Sequence, residues 1–172
     1  MEHLWAPWRI RYVAQAPAAN AAAPSGCFFC HGWEARPDEA KDHLVLARAG
    51  AAMAMLNRYP YNAGHIMVVP ARHVAACRDL TDAEAADIWK LTVKAQEALG
   101  RLMRPDGFNL GLNEGSAAGA GVASHLHWHV VPRWKGDHNY MTVCADARVV
   151  PEALEDTWAR LEAIWGKGNT WR

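Results

Sequence analysis

Seven residues from His125 to Val131 constrain this chain more than any others. They read HLHWHVV, with an imidazole at every second position at first and apolar side chains between. Side chains alternate across a β-strand, whereas a helix would scatter the same residues around its axis. The segment predicts a strand that places His125, His127 and His129 on one face. Leu126, Trp128 and Val130 fall on the other, which is apolar and suits a core.

Three imidazoles held together oppose one another's protonation, because each positive charge lowers its neighbours' pKa. At least one should stay neutral near pH 7, as a nucleophile or a metal ligand requires. Spacing alone leaves three readings open. One is a histidine nucleophile acting on phosphorus, flanked by imidazoles that place the phosphate oxygens. Another is a metal site, since alternating histidines on a strand can reach one ion. The last is a polar strand face in water. The loop ahead favours the first. Asn113-Glu114-Gly115-Ser116, then Gly119 and Gly121, lead directly into the histidines. Glycine lets a ligand approach the backbone, and successive N–H groups can form an anion nest. A flexible connection is the plainer reading of the same residues.

The rest of the chain supplies a frame for this strand. With 172 residues there is room for one domain and a sizeable core. His43 to Leu56 predicts two short strands around a turn at Ala49-Gly50, and HIMVVP, residues 65–70, a buried strand ended by proline. Between them NRYPYNAG, residues 57–64, is dense in turn residues. Thr81 to Glu84 forms a capping-box pattern. Ala85, Ile88, Thr92, Ala95, Leu99 and Leu102 then recur at helical spacing until Pro105-Asp106-Gly107. Phe108, Leu110 and Leu112 alternate as in a strand. Pro151 opens a last helix with Leu154, Trp158, Leu161 and Trp165 on one face. Strands in the middle with a long helix between them make an α+β fold, an antiparallel sheet covered by helices.

Zero formal net charge argues against a grip on long nucleic acid. No apolar run approaches the roughly 20 residues that cross a bilayer, so no membrane partner is expected. The start, MEHLWAPWRIRYV, lacks the pattern of a signal peptide. The expected compartment is the cytoplasm, where thiols stay reduced. The four cysteines are then free or metal-bound. Cys27 and Cys30 form C-x-x-C, while Cys77 and Cys144 stand alone. Trp5, Trp8, Arg9, Arg11 and Tyr12 precede an Ala/Pro-rich connector and are expected to dock on the body or on a partner subunit. Trp89, Trp158 and Trp165 are expected in core or interface. Arg133 and Lys135 suit distal phosphates or plain solvation, and Gly136 to Tyr140 reads as a loop without chemistry of its own.

HLHWHVV resembles the signature of the histidine triad (HIT) family, His-φ-His-φ-His-φ-φ with φ apolar. NEGS ahead of it and NRYPYNAGHIMVVPARH upstream are also similar to family segments, and the likeness runs from about Cys27 to Asn139. The branch it most resembles holds prokaryotic diadenosine tetraphosphate phosphorylases and fragile-histidine-triad-like hydrolases. The resemblance implies a five-stranded antiparallel sheet with a long helix and a C-terminal helix, paired into a homodimer. It implies residues 1–26 as an arm and connector, 27–145 as the HIT domain and 146–172 as a helix packed on it.

By the same resemblance His127 attacks the α-phosphate of a dinucleoside polyphosphate and forms a nucleotidyl-histidine, later cleaved by phosphate or water. His129 contacts the phosphate and its bridging oxygen, and His65 lies against the triad. Asn57 falls where the family holds ribose hydroxyls, and Asn113 and Ser116 where it contacts phosphate. Many members carry a glutamine four residues before the first triad histidine; here Gly121 stands there. A nucleoside phosphoramidate hydrolase, and a zinc-stabilised nucleotide-binding protein with little turnover, are the alternatives. No organic cofactor is expected.

C-x-x-C alone admits zinc, redox exchange or two buried thiols, and no thioredoxin-like pattern surrounds it. In zinc-bearing triad proteins the remaining ligands resemble the histidine after the strand-ending proline and the first triad histidine. Here those are His73 and His125, so the resemblance implies a structural zinc on Cys27, Cys30, His73 and His125. His31 is the rival ligand. A closed tetrahedral site has no open position, so this zinc would not be the catalyst.

Overall fold

A computed structural model describes residues 26–137 and 152–165 of the chain. In chain order its elements are α1 (Phe28–Glu34), β1 (Val45–Ala49), β2 (Ala52–Leu56), β3 (Ile66–Pro70), α2 (Asp82–Met103), β4 (Gly107–Leu112), β5 (Trp128–Arg133) and α3 (Leu154–Trp165). Single 3₁₀ turns lie at Pro37–Glu39, Cys77–Asp79 and Ser116–Ala118. The arm and connector, Cys144, His138 to Tyr140 and Pro151 fall outside the described residues.

All five strands pair antiparallel in one sheet, in the order β1-β2-β3-β5-β4. The first three follow one another as a meander. β5 enters between β3 and β4, so among the described residues the last strand sits inside the sheet and β4 forms an edge. Alternation assigns the two faces. Ala52, Ala54, Leu56, Ile66, Val68 and Val130 pack toward α2 and α3 with Ile88, Leu91, Leu99 and Leu161. Met53, Met55, Met67 and Val69 pack on the other side around Phe29 of α1. Leu154, Trp158 and Trp165 of α3 join the first cluster, as their spacing implied.

Local chemistry sets the ends of the elements. The Thr81 hydroxyl accepts from Glu84 N, and the Glu84 carboxylate accepts from Thr81 N at 2.8 Å, which closes the expected capping box. Arg72 donates to both Glu84 oxygens, at 2.9 and 2.8 Å, tying the segment after β3 to the start of α2. The β1–β2 turn passes through Gly50 at φ +57°, where a Cβ would strike the Asp87 carboxylate.

Three differences from expectation have physical causes. β5 starts at Trp128, three residues later than HLHWHVV suggests. Its pairing with β3 stops at Val68↔Trp128, and β3 ends on Pro70, which has no N–H to extend the ladder. Leu126 N donates instead to Val74 O at 2.7 Å. On α2, Ala85 is exposed and Glu84 buried, because the capping box turns Glu84 inward. Trp89 is 63% exposed and belongs to no core. The short helix α1 carries C-x-x-C and was not anticipated; about two turns are too few to show a period.

Candidate active site and metal cluster

His125, His127 and His129 do not form one constellation. They divide between two neighbouring sites, with Phe29 between. Its ring lies 5.3 Å from that of His125 and 5.1 Å from that of His127.

The first site is a cluster of thiols and imidazoles. Cys27 at the start of α1, Cys30 within it, His73 after β3 and His125 before β5 place their ligand atoms within 4.8 Å of one another. Cys27 Sγ is 3.3 Å from His125 Nδ1, Cys30 Sγ 3.3 Å from His73 Nδ1 and 3.6 Å from His125 Nδ1. Bond lengths to zinc near 2.3 Å for sulfur and 2.0–2.1 Å for nitrogen put tetrahedral S···N edges at about 3.6 Å. The donor set and spacing therefore fit a tetrahedral ion. The other nitrogen of His125, Nε2, lies 3.0 Å from Pro70 O and donates to it, so Nδ1 keeps the lone pair a ligand needs. The Cys30 thiol is pushed up to about 11, first by burial and then by Cys27. A cation at the centre would reverse that and draw off the thiol protons. His31 is exposed and stays outside the cluster.

Buried Arg48 of β1 clamps this site from behind. It donates to the carbonyls of Gly32 and Ala35 at the end of α1, at 2.5 and 2.8 Å, and lies over the Trp33 ring.

The second site holds His65, His127 and His129. The nucleophile candidate is oriented by its neighbour's backbone, since His127 Nδ1 lies 2.9 Å from His125 O. A carbonyl only accepts, so Nδ1 carries the hydrogen and Nε2 the lone pair. All three imidazoles titrate below the ordinary 6.5. Burial is the largest cause for each; neighbouring histidines add to it at His65 and His129, while at His127 the hydrogen bond to His125 O works against it. His65 falls to about 3 and His129 to about 4.

The same logic fixes the other two rings. Tyr61 N donates to His65 Nδ1 at 3.0 Å, and the Asn57 amide nitrogen lies 3.4 Å from the same atom. Both are donors, so His65 Nδ1 bears the lone pair and Nε2 the hydrogen. His65 Nε2 is 2.9 Å from His129 Nδ1, which must then accept. His129 is left with its hydrogen on Nε2, a buried atom with no hydrogen-bond partner among the described residues. An oxygen of a bound substrate is the partner such a donor lacks.

The remaining expected residues are less gathered. Asn57 lies beside His65, and its oxygen accepts from Tyr59 N at 2.9 Å. Asn113, Ser116 and Gly121 lie in the loop before the triad, with Ser116 and Gly121 exposed, and none is hydrogen-bonded to a triad histidine among the described residues. Gly115 and Gly119 take left-handed φ of 82° and 87° in that loop. Glu114 accepts from Cys77 N at 3.0 Å. Arg133 is engaged by Asp137 and Asn109, while Lys135 is exposed. Sequence reasoning passed over Tyr61 and Asn62, read only as turn residues. Asp137 was likewise taken as plain loop. The available signal was position: a dense turn directly before a buried histidine has backbone N–H groups to aim at it.

An antiparallel α+β fold with an imidazole cluster at the start of β5 defines the class: a histidine triad protein. The family model of the HIT domain matches residues 38–136, and the chain belongs to that family. It is 42% identical over 171 residues to the AP-4-A phosphorylase of Mycobacterium tuberculosis (strain ATCC 25618 / H37Rv), covering 97% of this chain and 86% of the relative. It is 30% identical over 125 residues to the asymmetrical bis(5'-nucleosyl)-tetraphosphatase of Schizosaccharomyces pombe (strain 972 / ATCC 24843), covering 73% of this chain and 65% of that one. A zinc-bound histidine triad family protein from Mycobacterium smegmatis shares the fold, with TM-score 0.63, 24% identity, and 81% and 93% of the two chains covered.

Proposed function

We propose that the chain transfers a nucleotidyl group from a dinucleoside polyphosphate, of the diadenosine tetraphosphate kind, through a covalent intermediate on His127. The observation that carries this reading is the His127 Nδ1 hydrogen bond to His125 O, which leaves a neutral Nε2 lone pair beside a donor on His129. The long match to a phosphorylase of that substrate supports the choice of nucleotide.

In the first step His127 Nε2 bonds to the α-phosphorus. The bond from phosphorus to the bridging oxygen breaks, that oxygen leaves as a phosphate anion, and His129 Nε2–H donates a hydrogen bond to it as charge develops. In the second step an oxygen of phosphate or water attacks the same phosphorus and the N–P bond breaks. The loop with Asn113, Ser116 and Gly121 supplies the oxygens with donors, and Asn57 holds the ribose. Zinc on Cys27, Cys30, His73 and His125 is a structural cofactor, holding α1 and the start of the triad segment together. The chain works in the cytoplasm on a small nucleotide, as a homodimer joined along β4. Residues 27–145 form the HIT domain, with the 1–26 arm and the 146–172 helix attached.

The test is a product assay with diadenosine tetraphosphate, with and without inorganic phosphate. ADP plus ATP only with phosphate identifies a phosphorylase, and AMP plus ATP without it a hydrolase. His127→Ala should lower turnover at least about a thousandfold while the melting temperature holds. Turnover by neither route, or turnover surviving that substitution, overturns the reading.

A further inference from the structure

The tautomers of His65 and His129 rest on the donors at His65 Nδ1: Asn57 Nδ2 at 3.4 Å and, closer at 3.0 Å, the backbone amide of Tyr61. That amide lies in the loop between β2 and β3, where there is no ladder to hold it. The Tyr61 ring lies 4.6 Å from His65 and 5.5 Å from His129, but it is 44% exposed and makes a poor anchor by itself. The next residue is fastened more firmly. Asn62 Nδ2 donates to Pro132 O at 3.2 Å and to Asp137 Oδ2 at 3.0 Å. The Asp137 side chain is only 8% exposed. Arg133 grips it with two hydrogen bonds, Nε to Oδ2 at 2.6 Å and Nη2 to Oδ1 at 2.8 Å. Trp134 N adds a third at 3.3 Å. Arg133 Nη1 also donates to Asn109 Oδ1 on β4, at 2.5 Å. A paired carboxylate this buried is rigid, because moving any member strands a charge away from water.

We propose that Asn62 and Asp137 are positioning residues: with Arg133 they brace the loop so that Tyr61 N–H stays on His65 Nδ1, and thereby hold His129 in the tautomer that presents Nε2–H to the substrate. The proposal rests on the reading of His127 as nucleophile and His129 as hydrogen-bond donor to the leaving oxygen. Without the brace, the Tyr61 amide withdraws, only the longer Asn57 contact still favours a lone pair on His65 Nδ1, and the ring can carry its hydrogen there. Its Nε2 then accepts from His129, whose own Nε2 becomes a lone pair facing the leaving oxygen. A hydrogen-bond donor turns into a repulsive acceptor, with no change in composition at either histidine.

The test uses the full chain with ¹⁵N-labelled histidine and long-range ¹H–¹⁵N spectra near neutral pH, which report each tautomer directly. The wild-type protein should show Nε2–H at both His65 and His129. In Asn62→Ala, and in the isosteric Asp137→Asn, both rings should populate the Nδ1–H form. With diadenosine tetraphosphate, kcat should fall about ten- to a hundredfold and KM move less than about twofold, since binding groups are untouched. Asp137→Asn preserves volume and serves if Asn62→Ala folds poorly. Wild-type tautomers in both folded variants, or altered tautomers with wild-type kcat, would overturn the brace. A wild-type protein inert toward nucleotides overturns it by another route, through the enzymatic reading, and the two failures are separate in the data.

Discussion

Burial is what makes the histidines useful, and it leaves a thermodynamic trace. His65 and His129 are ordinary imidazoles in the unfolded chain, near 6.5, and titrate at about 3 and about 4 when folded. Below pH 6.5 the unfolded state binds protons that the folded state refuses. Their contribution to stability is therefore complete above 6.5 and is lost as pH falls toward 4, at most about 1.4 kcal/mol per pH unit for each ring. Melting temperatures measured from pH 7 downward should drop through this window, and the drop should be shallower in His129→Gln. A flat profile between pH 7 and 5 would contradict the burial. A second residue effect concerns Gly64, which has φ +72° and packs so that a Cβ would lie 2.7 Å from Met103 Sδ and 2.8 Å from Leu99 Cδ2. Gly64→Ala should cost about 1–3 kcal/mol, read from urea unfolding, because both the backbone and the α2 contact resist it.

At the scale of elements, α1 and the segment ahead of β5 depend on each other. Among the described residues, the Cys27–Cys30–His73–His125 cluster, Phe29, Trp33 and the Arg48 clamp fix this short helix to the sheet. Chelation should lower the melting temperature, make Cys27 and Cys30 react with a thiol reagent, and release close to one zinc per chain by metal analysis. Much less than one ion, with unchanged thiol reactivity, would remove the metal reading. This region also marks how far the sequence could be read. The capping box, the meander and the alternation of HLHWHVV were visible because each repeats a local chemical rule over several residues. The helix α1, the late start of β5 and the Asn62–Asp137 contact were not, because they depend on what arrives from elsewhere. Asn62 and Asp137 are 75 residues apart, and nothing near either one announces the other. The family likeness, by contrast, marked out His73 and His125 as ligands across spans where spacing had no purchase.

At the scale of the whole molecule, β4 lies at one edge of the sheet among the described residues, and exposed apolar side chains stand on it and on α2. Leu110 on β4 is 43% exposed and Trp89 on α2 is 63% exposed. An open edge strand invites another strand. The solution mass should be about 38 kDa, twice the 19.0 kDa chain, and Leu110→Lys should shift it toward one chain. A wild-type protein that sediments as one chain would refute the pairing. The strand order carries a consequence for synthesis. As the chain leaves the ribosome, the meander of β1, β2 and β3 can settle early, but β4 emerges with no neighbour to join. It must wait until β5, the histidine-bearing strand, slots in between. Completing the sheet and assembling the reactive histidines are then a single event, so a half-made chain holds no half-working catalyst.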